Sequence, residues 1–309
     1  MNVVIAGLGS IACKHIQALH NLDIPFTVYA LRSGKGSRTV EGVTDIYSLN
    51  ELQDKKIDFA IVSNPTAEHI FTIRLLSDLK CPLFIEKPLS HRPDIEACVT
   101  DTVNSGLLTY VACNLRFLDC LQYIKNALAG TEVKVNEVNA YCGSYLPDWR
   151  PGTDFRNVYS ADASAGGGVH LDLIHELDYL YWLFGMPEQV TSCFGSRSTL
   201  GISAYDYANY CLAYPSFHAG VVLNYYRRDA RRTLEIITGK ETWEVDLRTN
   251  TVKAGNRMVF ESSRTIQDTY TAQMDYFVGL VRNRESRSFN TIEDAYNVLK
   301  ICLANDTRK

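Results

Sequence analysis

The chain has 309 residues, 46% of them hydrophobic and 21% charged, with a formal net charge of −4. That composition belongs to a globular protein with material for sizeable cores in one or two domains, and its acidic balance argues against nonspecific nucleic-acid binding, which needs a basic face to displace counterions. The nine cysteines are odd in number, scattered and without a CxxC pair, so free thiols in a reducing cytoplasm fit better than a disulfide framework or a thiolate zinc site. No run approaches the ~20 apolar residues of a membrane span. The apolar N-terminus lacks a basic leader and ends at Lys14 and His15, so it reads as structure rather than as a signal peptide.

Along the first third, Asn2–Ala6, Phe26–Leu31, Ile57–Ser63, Pro82–Glu86 and Leu108–Cys113 read as buried strands. Ile11–Asn21, Ala67–Leu79 and Pro93–Ser105 read as amphipathic helices between them. Parallel strands need crossover connections, so this alternation predicts an α/β domain over residues 1–116, a doubly wound (Rossmann) parallel sheet with helices on both faces. Beyond it the rhythm changes. A helix over Phe117–Ala129 and a strand over Val133–Tyr145 lead into an irregular stretch from Leu146 to Ala165, then one strongly apolar helix over Gly168–Phe184. The runs Gln189–Gly195, Tyr207–Tyr214, His218–Tyr226, Thr233–Thr238 and Thr242–Leu247 follow without intervening helices, which predicts a mainly antiparallel open sheet. Helices over Gln267–Arg282 and Thr291–Leu303 close an α+β domain of residues 117–309. The irregular stretch is long enough to suggest a binding loop.

Gly7-Leu8-Gly9-Ser10-Ile11-Ala12 directly follows the first strand and opens the first helix. Gly7 permits the tight turn, Gly9 leaves room for a pyrophosphate, Ala12 lets helix and strand pack, and the helix N-terminus with Ser10 and Ile11 offers free N–H groups. The alternative is a purely structural turn. The second strand ends at Leu31-Arg32-Ser33, followed by Lys35 and Arg38, with no carboxylate where an acid would bind a ribose 2′-hydroxyl. Arg32 and Ser33 suit a 2′-phosphate instead, so NADP is the expected cofactor, with NAD as the alternative and a solvated basic loop as the bland reading.

Asn64-Pro65-Thr66 with His69 follows one strand, Glu86-Lys87-Pro88 follows the next, and Gly166-Gly167-Gly168 leads to His170, Asp172, His175 and the run His175-Glu176-Leu177-Asp178. With the glycine loop, in this order, these motifs resemble the Gfo/Idh/MocA family of glucose–fructose oxidoreductase and inositol dehydrogenase relatives over essentially the whole chain. The resemblance implies hydride transfer between a secondary hydroxyl of a sugar, sugar nucleotide or cyclitol and a nicotinamide. It implies Lys87, His175 and Asp172 as the catalytic group, and Asn64, Pro65, His69, Glu86 and Lys87 beside the glycine loop on the cofactor. It also implies substrate contacts at Asn114 and Arg116, and a homodimer or homotetramer built on the open sheet.

Lys87 lies just past a strand's carboxyl end, where ligands of such sheets bind, and Pro88 would stiffen the turn that aims it. Read as one helix, Asp172 and His175 three residues apart share a face, and polar groups in so apolar a helix need partners. The resemblance makes His175 the general base, with Asp172 orienting substrate or tuning it. The family's commoner spacing is four. A buried structural pair is the competing reading, and a metal site at His170, Asp172, His175 and Asp178 is the other, unneeded for hydride transfer. The loop from Leu146 to Tyr159 carries Trp149, Arg150, Arg156 and Tyr159, flat faces and guanidinium forks suited to sugars and anions. Arg156 and Tyr159, nearest its return path, are the expected substrate contacts. Arg227, Arg228, Arg231 and Arg232 read as a solvated strand end or a subunit contact. Two rival classes remain open at this level: a glycosidase-like relative that recycles its cofactor, and a non-catalytic dinucleotide sensor.

Overall fold

In the computed structural model, which describes residues 1–34, 39–130 and 133–307, the N-terminal apolar runs become strands and the periods between them become helices. They are β1 (Asn2–Ala6), α1 (Ser10–His20), β2 (Thr27–Leu31), β3 (Val43–Ile46), β4 (Phe59–Val62), α2 (His69–Ser77), β5 (Leu83–Glu86), α3 (Glu96–Asn104) and β6 (Thr109–Ala112). All pair in parallel in the order β3-β2-β1-β4-β5-β6. The order reverses between β1 and β4, and ligands of such sheets bind beyond the carboxyl ends at that point. β4, β5 and β6 are buried at every position, which is why they read as unbroken apolar runs. β3 had no counterpart in the sequence reading. Val-Thr-Asp-Ile is short and partly exposed, and only its pairing with β2 makes it a strand.

The rest of the chain supplies α4 (Asp119–Gly130), β7 (Val135–Tyr145), α5 (Val169–Asp172), α6 (His175–Phe184), β8 (Gln189–Gly195), β9 (Tyr207–Ala213) and β10 (His218–Asn224). β11 (Tyr226–Thr238), β12 (Thr242–Asp246), β13 (Thr251–Ala254), β14 (Arg257–Glu261), α7 (Asp268–Asn283) and α8 (Ile292–Cys302) complete it. The second sheet runs β14-β13-β12-β11-β7-β10-β9-β8. Its pairs are antiparallel except β7 with β10, which is parallel. β13 and β14 lie beyond the strands expected, and β11 begins at Tyr226 rather than at Thr233, with a register irregularity between Tyr226 and Arg231.

Two compact units result. One holds Met1–Asn114 with Gln267–Tyr296, the other Leu115–Ile266 with Asn297–Lys309. Residues 267–296, read above as part of the second domain, therefore pack with the first. The reason is aromatic. Phe277 of α7 packs edge-on against Phe59 and Phe84, and Tyr110 hydrogen-bonds Gln273 at 3.3 Å. α7 thus covers apolar surface that the sheet would otherwise expose, a long-range match that local periodicity does not report.

The apolar helix expected over Gly168–Phe184 is broken. α5 ends at Asp172, Leu173 takes φ −100° and ψ 33°, and α6 starts afresh at His175. The stretch after Leu146 is less irregular than its composition implied, with 3₁₀ turns at Leu146–Trp149, Phe155–Asn157 and Tyr159–Ala161.

Candidate active site

In the first unit, Gly7 adopts φ +84°, and a Cβ there would stand 2.6 Å from the Asn64 backbone. This glycine is required because the loop after β4 lies against it. Gly9 differs: a Cβ there would meet nothing within 4 Å, so open space faces the start of α1. No side chain caps that helix and its first turn holds no acid. An uncapped N-terminus of eleven residues beside open space suits phosphate. Asn64 adds a carbonyl oxygen, Oδ1, buried without a hydrogen-bond partner among the described residues, while its amide nitrogen donates to Thr72 Oγ1 at 2.8 Å. Such an orphan acceptor is costly unless a ligand or water satisfies it. The residues therefore fit a dinucleotide.

The neighbouring groups do different work from the one expected. His69 is 1% exposed, and its Nδ1 and Nε2 lie 3.0 Å from the Pro88 and Asn64 carbonyl oxygens. It ties the loop after β4 to the loop after β5. Burial lowers its pKa, against a pull upward from Asn64, Glu86 and Pro88. Glu86 is also inside, its Oε1 2.5 Å from Nε2 of His15 on α1 and its Oε2 accepting the Lys87 backbone N–H at 3.1 Å. Glu86 shapes the turn, and Lys87 follows it half-buried.

Arg32 is only 8% exposed in its side chain, and its Nη1 lies 2.8 Å from Asp45 Oδ1 on β3. The expectation of NADP leaned on an uncompensated guanidinium; Asp45, on the strand the sequence reading missed, offsets that charge. Ser33 is exposed, and Pro65 introduces the 3₁₀ turn before α2. Lys35 and Arg38 lie outside the described residues.

In the second unit, Asp172 is 6% exposed and accepts two phenols, Tyr159 at 2.7 Å on Oδ1 and Tyr225 at 2.5 Å on Oδ2. Burial first, and Asp172 second, raise both phenols' pKa, so they are donors at any working pH. Both limbs of the loop return here. The Leu146 N–H donates to the Tyr225 carbonyl at 2.8 Å, and Trp149 stands edge-on to the Tyr225 ring, 5.3 Å between centroids. Gly167 makes the closure: a Cβ there would lie 2.0 Å from the Tyr159 carbonyl oxygen. Tyr159 nevertheless remains 46% exposed, and Arg150 lies 5.9 Å over its ring.

His175 begins α6 at 9% exposure, one helix on from Asp172 rather than on a shared helical stripe. The acids that follow it are spoken for. Glu176 is bidentate with Arg232 at 2.7 and 3.1 Å, and Asp178 is bidentate with Arg116 at 2.9 and 2.7 Å. Arg116, expected as a substrate contact, is 1% exposed. Its charge serves Asp178. Asn114, in the first unit, donates one amide N–H to Thr269 Oγ1 at 2.7 Å inside the protein. Arg156 is 60% exposed, 3.5 Å from Asp154, and stands outside the Asp172 cluster. Within the arginine-rich strand, Arg232 pairs inward with Glu176 while Arg227 pairs with the exposed Asp229. His15, Asp45 and Tyr225 carried no local signal.

A six-stranded 3-2-1-4-5-6 sheet with an uncapped glycine turn, joined in sequence to an open-sheet unit, defines a class of dinucleotide-binding oxidoreductases. The chain belongs to the Gfo/Idh/MocA oxidoreductase family: residues 1–106 match the oxidoreductase family, NAD-binding Rossmann fold, and residues 123–244 match the GFO/IDH/MocA C-terminal domain. No curated protein matches it. Among solved structures, it is similar to UDP-N-acetylglucosamine 3-dehydrogenase GnnA from Acidithiobacillus ferrooxidans, with a TM-score of 0.79, 19% identity, and 98% and 95% of the two chains covered. Myo-inositol 2-dehydrogenase from Lactobacillus plantarum gives the same TM-score, identity and coverage. Scyllo-inositol dehydrogenase from Lactobacillus casei, with bound NAD(H) and scyllo-inositol, gives 0.80 and 18% over 98% and 95%. At these identities the likeness establishes the fold. No helix among the described residues is long and apolar enough to cross a membrane.

Proposed function

We propose that the protein is a nicotinamide-dependent dehydrogenase or reductase acting on a secondary hydroxyl of a sugar, sugar nucleotide or cyclitol. The observation that carries this reading is the buried polar cluster at the start of His175's helix, where Asp172 holds the half-exposed Tyr159 phenol of an aromatic loop. Hydroxyl-rich ligands need donors and acceptors fixed beside flat apolar faces, and this cluster supplies both. The sugar-nucleotide and inositol dehydrogenases that share the fold support the same substrate class.

When bound, the dinucleotide accepts or returns the hydride. The α1 N-terminus, with Gly7, Gly9, Ser10 and Ile11, holds its pyrophosphate, and Asn64 and Pro65 line the same loop cluster. As the carbinol carbon loses its hydrogen with both electrons, the hydroxyl proton passes to the His175 imidazole. The Lys87 ammonium steadies the alkoxide that develops. Asp172, with both carboxylate oxygens taken by tyrosines, is a positioning residue that fixes Tyr159 toward substrate. In the reverse direction His175 returns the proton. The setting is the cytoplasm, and the open sheet supports a homodimer or homotetramer.

The test is purified protein with NADP or NAD and a panel of sugars, UDP-sugars and cyclitols, read by the absorbance of the reduced nicotinamide. Lys87→Ala and His175→Ala should each lose about a hundredfold or more in turnover while cofactor affinity changes little, the scale for losing a proton-transfer or charge-stabilising group. Full activity in either variant removes that residue from the mechanism, and a panel without turnover removes the substrate class.

A further inference from the structure

We propose that Asp45 sets the protein's choice between NADP and NAD by holding Arg32, an inference that rests on the dinucleotide-binding role proposed above. Arg32 follows the carboxyl end of β2, where the adenosine ribose of a bound dinucleotide is read in sheets of this order. Strand β3 lies outside β2 in parallel register, with Ala30 opposite Asp45 and Leu31 opposite Ile46. The Arg32 backbone N–H donates to the Ile46 carbonyl at 2.9 Å, so backbone pairing continues one residue past β2 and carries Arg32 alongside Asp45. The side chains then meet at 2.8 Å with only 8% and 21% exposure.

The consequence is electrostatic. An unpaired guanidinium at this place attracts a dianionic 2′-phosphate and gains little from a neutral 2′-hydroxyl. The Arg32–Asp45 pair has no net charge, and the carboxylate repels a phosphate that approaches the guanidinium. Both partners are mostly withdrawn from water, so salt screens them less than a surface pair. A ribose hydroxyl meets no such penalty and can donate to a carboxylate. Asp45 thereby stands in for the acid missing from the end of β2, and reduces the NADP preference that Arg32 and Ser33 alone would confer. The wild-type protein binds both dinucleotides, with affinities within about tenfold of one another, the range that one offset charge spans near a protein surface.

The measurement is fluorescence titration of the full chain with NADPH and with NADH at low and at moderate salt, without any substrate. Asp45→Asn keeps the size and an oxygen for Arg32 but removes the charge. It should raise NADPH affinity about tenfold relative to NADH, with the gain shrinking as salt rises. Asp45→Ala should move the ratio the same way, and Arg32→Gln should weaken NADPH while leaving NADH nearly unchanged. Thermal melting checks that each variant is folded, and any one folded Asp45 variant suffices. Wild-type binding with an NADPH/NADH ratio that stays put in a folded Asp45 variant overturns this inference alone. A wild-type protein that binds neither dinucleotide overturns the proposed function, and this inference with it.

Discussion

Around the dinucleotide loops of the first unit several buried polar side chains hold backbone, beside side-chain pairs such as His15 with Glu86: His69 sits between two loop carbonyls, Asn290 donates to the Val111 carbonyl, and Ser288 to that of Thr109. Around α5 and α6 of the second unit they hold one another, as Asp172 with two tyrosines, Glu176 with Arg232 and Asp178 with Arg116. The difference follows from what each must present. A dinucleotide site is made largely of main-chain N–H groups and glycine turns, so its supports fix loop shape. A proposed polyol site is made of side chains, so its supports fix charge and hydroxyl direction. Damage to a support should therefore show as loop loosening in one unit and as uncompensated charge in the other.

The largest effect should come from the charge side. Arg116→Met removes the partner of Asp178, leaving a carboxylate buried without its countercharge. Such losses cost about 3–5 kcal/mol, readable as a lowered denaturant midpoint. A midpoint shift no larger than that of an exposed arginine would mean that Arg116 is not the support described.

Tyr225→Phe takes one donor from Asp172 and leaves Tyr159 in place. A stability loss of about 1–3 kcal/mol is expected, the cost of a buried acceptor left short of a partner. The affinity for a polyol substrate should also weaken, because the phenol that Asp172 aims is less well fixed. Unchanged stability together with unchanged KM would break the proposed link between the two tyrosines.

The smallest effect belongs to the loop clamp and depends on pH. Burial lowers the pKa of His69 from its ordinary 6.5, so as pH falls the unfolded chain takes up the proton first. The resulting stability is fully present above about pH 6.5 and is lost as pH falls below it, by up to about 1.4 kcal/mol per pH unit inside that window. His69→Gln should lack this component, so the stability gap between the wild type and the variant narrows on acidification through that range. A gap constant with pH would show that His69 does not titrate between the folded and unfolded states.

How much was legible before the structure varied with the range of the interaction. The glycine turn, the strands β1, β2, β4, β5 and β6 and the position of Lys87 past β5 all follow from local pattern, because a buried parallel strand is apolar at every residue. Tyr159 was nameable as a loop aromatic. Its tie to Asp172 was not, since thirteen positions and the glycine turn before α5 separate them. For Arg116 and Asn114 the sequence shows that a polar group needs a partner without showing which protein group supplies one. Arg116 finds Asp178, and Asn114 finds Thr269.

By itself the sequence determined the doubly wound sheet and the open phosphate turn, since each rests on short-range periodicity and on residues whose backbone needs are intrinsic, while its ordered motifs carried the resemblance to the family. Only the tertiary structure decided that α7 packs with the first unit, that Asp172 serves two tyrosines, and that Arg32 is balanced by Asp45 across a strand too short and polar to announce itself. Those outcomes depend on which distant charge or ring arrives within hydrogen-bond or van der Waals reach. That is a property of the folded chain's geometry, and no run of neighbouring residues encodes it.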